Sequence, residues 1–370
     1  MSIFPKRLIA ILAPILAFMT WISLWVVLGD VVAATEPLAK ELRQSKGPLR
    51  GALLSVESAT ADHLAVLKKD GYTSVVLQIQ SSAEGPINEA IAASKRISSV
   101  GLELGYWLEI AHCAEMADAH PLWMASLQGH PEWRRFFKDI PFPKEGETIK
   151  NYPWVPILYE ESFAAHLARV KKLLAELPPA KQLFLNDLQG SPSACGCGNP
   201  VCRWTADYGP VVTATKLGDD AAARFVGEVR KLVPKETAVV PVWTTECEEH
   251  DKEKDALCAG VGCFKGICWK AYTKQLMPVA ESSPQIGVLL LYKEFGQDTP
   301  AYKEPAGWVQ HSLAGFAQMP PKNGGNAIGP ERLIAVLQGT GVTERELADQ
   351  IARVQDARCP NYLVAFAKID

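Results

Sequence analysis

From Arg50 to Ile110 the sequence repeats one pattern with short connections. Arg50–Val56 (RGALLSV), Thr73–Ile79 (TSVVLQI) and Leu102–Ile110 (LELGYWLEI) are short apolar runs, and two amphipathic stretches, 59–69 and 87–100, separate them. Runs of this length rich in β-branched residues read as buried strands, and the stretches between them have helical spacing. Gly101 supplies the stop for the second helix. Strands alternating with helices over short links predict a parallel sheet, because parallel neighbours need a crossover between them.

The rhythm then breaks and resumes. Residues 111–159 hold three histidines and three tryptophans among several prolines, with no clean period. A stretch of that length is too long to be an idle loop. Beyond it, helical spacing returns over 161–177 and 219–232, and again over 342–357, where Thr343 with Glu346 three residues on forms a capping-box signature. Strand-like runs follow at Leu183–Leu185, Ala238–Trp243, Gly266–Trp269, Ile286–Tyr292, Leu333–Leu337 and Tyr362–Phe366. That makes nine candidates where a closed βα barrel needs eight. One of the two runs Gly266–Trp269 and Ile286–Tyr292 is therefore expected to lie outside the barrel. The expected fold is a (β/α)8 TIM-like barrel over 47–370, with a long excursion after the third strand and cysteine-rich βα loops. The alternative is an open doubly wound sheet. No G-x-G-x-x-G follows the first strand, which speaks against a dinucleotide fold.

Composition matters chiefly for compartment. The net charge of −3 and a pI near 6.2 give no electrostatic case for nucleic acid or an anionic membrane surface. Lys6 and Arg7 precede an uncharged, mostly apolar run from Leu8 to Leu28. About 20 such residues can span a bilayer, and Val32-Ala33-Ala34 resembles the small residues before a cleavage site. Residues 1–34 thus read as a cleaved signal peptide or an uncleaved membrane anchor, and 35–46 as a polar linker. Either way the bulk of the chain is expected to be exported, to the periplasm or the cell exterior, and the membrane is touched only through the N-terminal segment if it stays uncleaved.

The most site-like stretch is Lys181–Trp204. An apolar run ends in Asn186-Asp187, and a Gly/Ser/Pro loop follows with Cys195, Cys197 and Cys202. In parallel α/β folds chemistry sits just past the carboxyl ends of the strands. Several features together resemble the glycosidase-type TIM barrels, in particular exported glycoside-hydrolase-like families. They are His130-Pro131-Glu132-Trp133 in the excursion, Asp187 with its Cys-x-Cys loop, Trp243 with Glu246, and the final Tyr-Leu-Val-Ala-Phe run (362–366) after a helix opened by Gly341-Val342-Thr343. The resemblance spans most of 47–370. Related barrels usually carry two acids after the fourth strand, and here Asn186 holds the first place.

The resemblance implies a carbohydrate ligand and a pair of carboxyl groups flanking the glycosidic bond, one as general acid and one as nucleophile or base. Asp187 and Glu246 fit that pair, from neighbouring strand ends. Asp187 also suits an Asx turn or helix cap, and Glu246 also suits a solvated acid beside the charged loop 248–255. Glu109 and Glu294 end other strands, and Asn186 can bond a sugar hydroxyl. Trp107, Trp243, Trp269 and Tyr292 also fall at strand ends, where rings can stack on sugar C–H faces or pack the rim. The histidines are assigned no metal. A non-catalytic carbohydrate-binding barrel is the alternative reading, with Asn186 marking a lost acid pair.

Nine cysteines remain, seven of them between Cys195 and Cys268. In an exported protein clustered cysteines default to disulfides. Zinc held by Cys195, Cys197, Cys202 and Cys247, as part of a metal-dependent hydrolase, is the alternative; otherwise no cofactor is expected. Cys113 and Cys359 stand apart and read as buried thiols. Protein taken from its native compartment should show most cysteines of 195–202 and 258–268 oxidised. Thiol titration under denaturing conditions checks this, and seven or more free thiols with bound zinc would reverse the preference.

Overall fold

Strands buried on both faces are what a parallel sheet wrapped by helices requires, and the strands here meet that condition over most of their length, with Ser74–Ile79, Ile286–Leu290 and Leu333–Gln338 buried at every position. The computed structural model describes residues 47–124, 152–157, 160–188, 211–244, 283–296, 298, 302–318 and 328–369. Residues 1–46, His130–Trp133, the cysteine loop after the fourth strand, Glu246 and Trp269 lie outside them.

The strands are β1 (Arg50–Ser55), β2 (Ser74–Ile79), β3 (Glu103–Glu109), β4 (Gln182–Asn186), β5 (Ala238–Thr244), β6 (Ile286–Leu290), β7 (Leu333–Gln338) and β8 (Asn361–Ala365). Each pairs in parallel with the next, and β8 returns to β1, so the sheet closes as a barrel in sequence order. Around it lie α1 (Ala61–Lys69), α2 (Glu84–Ser99), α3 (Ala114–Ala119), α4 (Glu160–Glu176), α5 (Val211–Leu232), α6 (Gly307–Ala317) and α7 (Glu344–Asp356). This is a (β/α)8 TIM barrel. Ile286–Leu290 is one of its strands, and the ring closes without Gly266–Trp269, which lies outside the described residues. α6 has no counterpart in the sequence reading, and α5 starts at Val211 rather than Asp219. Among the described residues no helix is long and apolar enough to cross a membrane; the Leu8–Leu28 run falls outside them.

Strand alternation sorts side chains into two cores. Outward residues such as Leu54, Leu77, Leu108 and Leu185 join the helices in one cluster. Inward residues such as Leu53, Val76, Trp107, Phe184 and Val336 fill the barrel in another. Trp107 and Phe184 are register partners on β3 and β4, and their rings stack at 5.7 Å between centroids. The end of the chain tucks onto the same interior cluster through Ala367 and Ile369.

Local signals fix the helices. Thr60 caps α1 by accepting from the His63 amide at 3.3 Å. The Thr343/Glu346 capping box of α7 forms in both directions, as its sequence signature requires. α7 then docks through Gln350, which is fully buried. Its Oε1 accepts from the Gln338 amide at 3.0 Å and its Nε2 donates to the Gln338 carbonyl at 2.8 Å. One side chain thereby satisfies both main-chain groups at the end of β7, as a neighbouring strand would.

The interior is filled closely enough that small residues are obligatory at some positions. Gly287 faces inward across from Val242, and a Cβ added there would lie 2.8 Å from Val242 Cγ2. Valine is stiff at χ1 and has little room to yield. Gly287→Ala is expected to destabilise the fold by about 1–3 kcal/mol, read as a lower urea midpoint at unchanged m-value.

Candidate functional site

β3 and β4 end side by side, and alternation sets which of their terminal residues face in. In β3, Tyr106 and Leu108 pack outward, so Trp107 and Glu109 point into the barrel. In β4, Leu183 and Leu185 pack outward, leaving Phe184 and Asn186 inside. Glu109 and Asn186 are register partners. Both are buried, at 6% and 5% exposure.

A buried carboxylate needs hydrogen-bond donors. Glu109 Oε1 accepts from the Trp107 indole at 2.6 Å, and Oε2 accepts from Asn186 Nδ2 at 2.8 Å. The indole can only donate and the carboxylate accepts, so these bonds fix the amide's orientation. Asn186 turns its nitrogen to Glu109 and its Oδ1 elsewhere.

Pairing continues past the strand ends. Ile110 N donates to Asn186 O and Ala111 N to Asp187 O. Asp187 itself adopts a left-handed backbone with φ 54°, a conformation that Asp tolerates better than most residues. The turn takes the chain out of strand alternation directly after Asn186, and Asp187 is half-buried there.

The wall behind this pair is built by α4. Its buried stripe runs through Ser162, Phe163, His166, Arg169, Val170 and Leu173, and three of those six are polar. Each polar member finds a main-chain carbonyl. Ser162 donates to Pro156 O at 2.6 Å, His166 Nε2 to Val155 O at 2.8 Å, and Arg169 Nη2 to the carbonyl of Glu109. The returning segment also bonds the end of β3 directly: Val155 N reaches Ala111 O at 2.8 Å and Cys113 N reaches Pro153 O at 3.1 Å. An isolated antiparallel bridge joins His112 to Trp154, with their rings edge to face at 4.5 Å. On the other flank Glu115, in the first turn of α3, accepts from both the amide and the hydroxyl of Ser82, just past β2. Lys172 donates to Ser82 O at 2.6 Å.

Further around the barrel the inner strand ends carry amides. Gln78, on β2, donates through Nε2 to Lys368 O at 2.9 Å. Gln338, on β7, accepts at Oε1 from the consecutive amides of Lys293 and Glu294. Lys293 pairs with Glu346 at 2.7 Å, and that bond holds the Glu346 carboxyl down at about 2.

Of the residues singled out in the sequence, Glu109, Trp107 and Asn186 meet in one hydrogen-bonded cluster, with Asp187 next in the chain. Trp107 lies fully buried under Glu109, supporting it rather than presenting a ring face to solvent. Trp243 and Tyr292 depart from the expected stacking role. Trp243 is on the outward face of β5 and Tyr292 lies in the turn just past β6; both join the layer beneath the helices, at 2% and 3% exposure. Burial pushes the Tyr292 hydroxyl up to about 12. Glu294 is exposed, and its amide is tied to Gln338. Glu246, Trp269, Cys195, Cys197, Cys202 and Cys247 lie outside the described residues. Among the described residues no cluster of histidine, cysteine or acidic side chains has the makings of a metal site. Cys113 and Cys359 are free and buried; burial raises both thiols, Cys359 to about 11.

The sequence reading missed Gln78, Gln338, His166 and Arg169. A signal existed for the last two, since both fall on the apolar stripe of 161–177, where a polar residue needs a buried partner.

No protein-family model matches the chain, and no curated protein matches it either. Solved structures similar to it include an endo-1,4-β-D-mannanase from Thermotoga petrophila RKU-1, 9% identical, with 86% of this chain and 88% of that one covered at a TM-score of 0.49. A β-glucosidase from Thermotoga maritima is 12% identical, with 87% and 88% covered at 0.47. A 6-hydroxypseudooxynicotine amine oxidase from Pseudomonas geniculata N1 is also 12% identical, with 87% and 46% covered at 0.47. The likeness is one of barrel fold.

His166 gives the site's wall an acid sensitivity. Complete burial, aided by the nearby Arg169 charge, depresses it to about 3 from an ordinary 6.5. Between those values the unfolded chain binds a proton that the folded one does not, so stability rises with pH across the window. The fold should lose about 2 kcal/mol from this group between pH 7 and pH 5. His166→Gln keeps a donor for Val155 O and should remove that part of the slope in urea titrations run at both pH values.

Proposed function

We propose that the chain is an exported, glycoside-hydrolase-like barrel that acts on a carbohydrate at the carboxyl ends of β3, β4 and β5. The observation that carries this reading is the inward carboxylate of Glu109, locked to Asn186 across the β3–β4 seam, with Asp187 following at once. Active sites of (β/α)8 enzymes sit at this end of the barrel. A polar group buried there and held on two sides is positioned for use.

In this reading Asp187 and Glu246 form the reacting pair. One carboxyl group protonates the glycosidic oxygen as the leaving group departs. The other attacks the anomeric carbon or activates a water on the opposite face. A separation of about 5–5.5 Å gives retention of configuration and about 6.5–9.5 Å gives inversion. Glu109 and Asn186 bind sugar hydroxyls, and Trp107 keeps the Glu109 carboxylate in place from below. Leu8–Leu28 directs export.

A second reading, a carbohydrate-binding barrel without turnover, is favoured by Asn186. An amide stands on the inner face where the resemblance calls for an acid, and its nitrogen is already committed to Glu109.

A panel of aryl glycosides and oligosaccharides separates the two. Asp187→Asn and Glu246→Gln should each lower turnover by orders of magnitude with the near-UV circular dichroism unchanged, because both replacements are nearly isosteric. Turnover that survives both would assign the chemistry to other residues. Sugar binding with no wild-type turnover would select the second reading.

A further inference from the structure

In a (β/α)8 barrel the chain ordinarily leaves each strand outward, toward a helix. After β8 it turns inward. Phe366 pins the turn from outside, packed in the layer beneath the helices with its ring edge to face against His63 and Tyr72 at 6.3 and 6.2 Å. Phe366 N and Ala367 N both donate to Leu53 O, the last main-chain bonds to β1 among the described residues. Ala367 and Ile369 then join the interior cluster at 6% and 5% exposure, with Lys368 exposed between them. Lys368 O meets the inner face of β2, where it accepts from Gln78 Nε2 at 2.9 Å. Gln78 is the register partner of Trp107 on β3, and Trp107 donates to Glu109. The segment therefore crosses the carboxyl-end mouth of the barrel and is tied down one strand away from the Glu109 carboxylate.

The two ends of this crossing are held differently. As far as Ala367 it is held by the main-chain ladder to β1. Beyond Ala367 its bond to β2 runs through a side-chain amide, and Ile369 seats it in the interior. A tie from side chain to main chain breaks without disturbing any strand pairing, which is how local openings occur in an intact fold. We propose that residues 367–369 are an autoinhibitory strap. Closed, it seats Ile369 in the mouth and keeps the Gln78 amide from a ligand. Lifted about the pinned Phe366, it frees that amide and uncovers the apolar surface under Ile369. A ligand that uses the β2 side of the mouth binds in exchange for the strap.

The strap does not depend on the ligand being a carbohydrate, and its test uses no sugar, so the two readings stand or fall separately. Native-state hydrogen exchange, followed by NMR on the full chain, compares the Ala367 amide with the amides of β8. Ala367 should exchange through an opening that low urea does not promote, while β8 exchanges through urea-dependent global unfolding. Gln78→Leu and Ile369→Ser should each speed exchange at Ala367 about tenfold or more, the ratio that loss of one hydrogen bond or one buried apolar side chain gives, and leave β8 unchanged. N-phenyl-1-naphthylamine, a neutral dye that brightens in apolar surroundings, reads the space beneath. Its affinity should rise in both variants by about the factor by which the open fraction rises. Circular dichroism monitors folding, and if one variant fails to fold, the other and the exchange of the native chain decide. Ala367 exchanging together with β8 in the native chain and the variants would make the segment a fixed part of the core and overturn the strap. Faster exchange at Ala367 with no gain in dye binding would show that the segment covers no ligand space and overturn the autoinhibition.

Discussion

A closed ring of parallel strands has one interior, and every inward side chain shares its volume. Around this constraint the rest of the molecule is arranged. The stacked pair of Trp107 and Phe184 occupies much of the space between β3 and β4, and Gly287 is small on β6 because Val242 fills the space across from it. The largest interior residue also does something a leucine could not. Its indole proton reaches up to Glu109, so the packing layer of the barrel and its polar end are joined through one side chain. A carboxylate at this depth needs donors, and the layer beneath it supplies one and the neighbouring strand another.

The fold was largely legible in the sequence because parallel strands buried on both faces appear as short continuous apolar runs. The same property blurred the details. Gly266–Trp269 and Ile286–Leu290 both look like strands, since a brief apolar run has no period to distinguish its possible settings. For the same reason the inward face of β5 could not be found from Ala238–Trp243, where both faces are apolar. Trp243 and Tyr292 therefore looked like rim aromatics although they pack under the helices. Glu109 and Asn186 were easier to place, because a polar residue ending an apolar strand marks that strand's mouth.

What the sequence concealed most fully was the support around the site. Arg169, His166 and Gln350 look like ordinary polar positions on amphipathic helices. Their partners are main-chain groups, and a carbonyl oxygen is present at every residue whatever its side chain. No pairing of complementary residue types announces such bonds, so they become visible only when the backbone is in place.

That feature sets an asymmetry in what the wall can tolerate over evolutionary time. The three polar side chains of α4 reach the carbonyls of Pro156, Val155 and Glu109. In these three bonds the helix supplies the side chains, and the carbonyl oxygens it reaches are ones that any residue carries. At 152–157 it is packing that restricts identity, through the Trp154 ring on His112 and the buried Val155 and Ile157, whereas Ser162, His166 and Arg169 can give way only to another donor of the same reach.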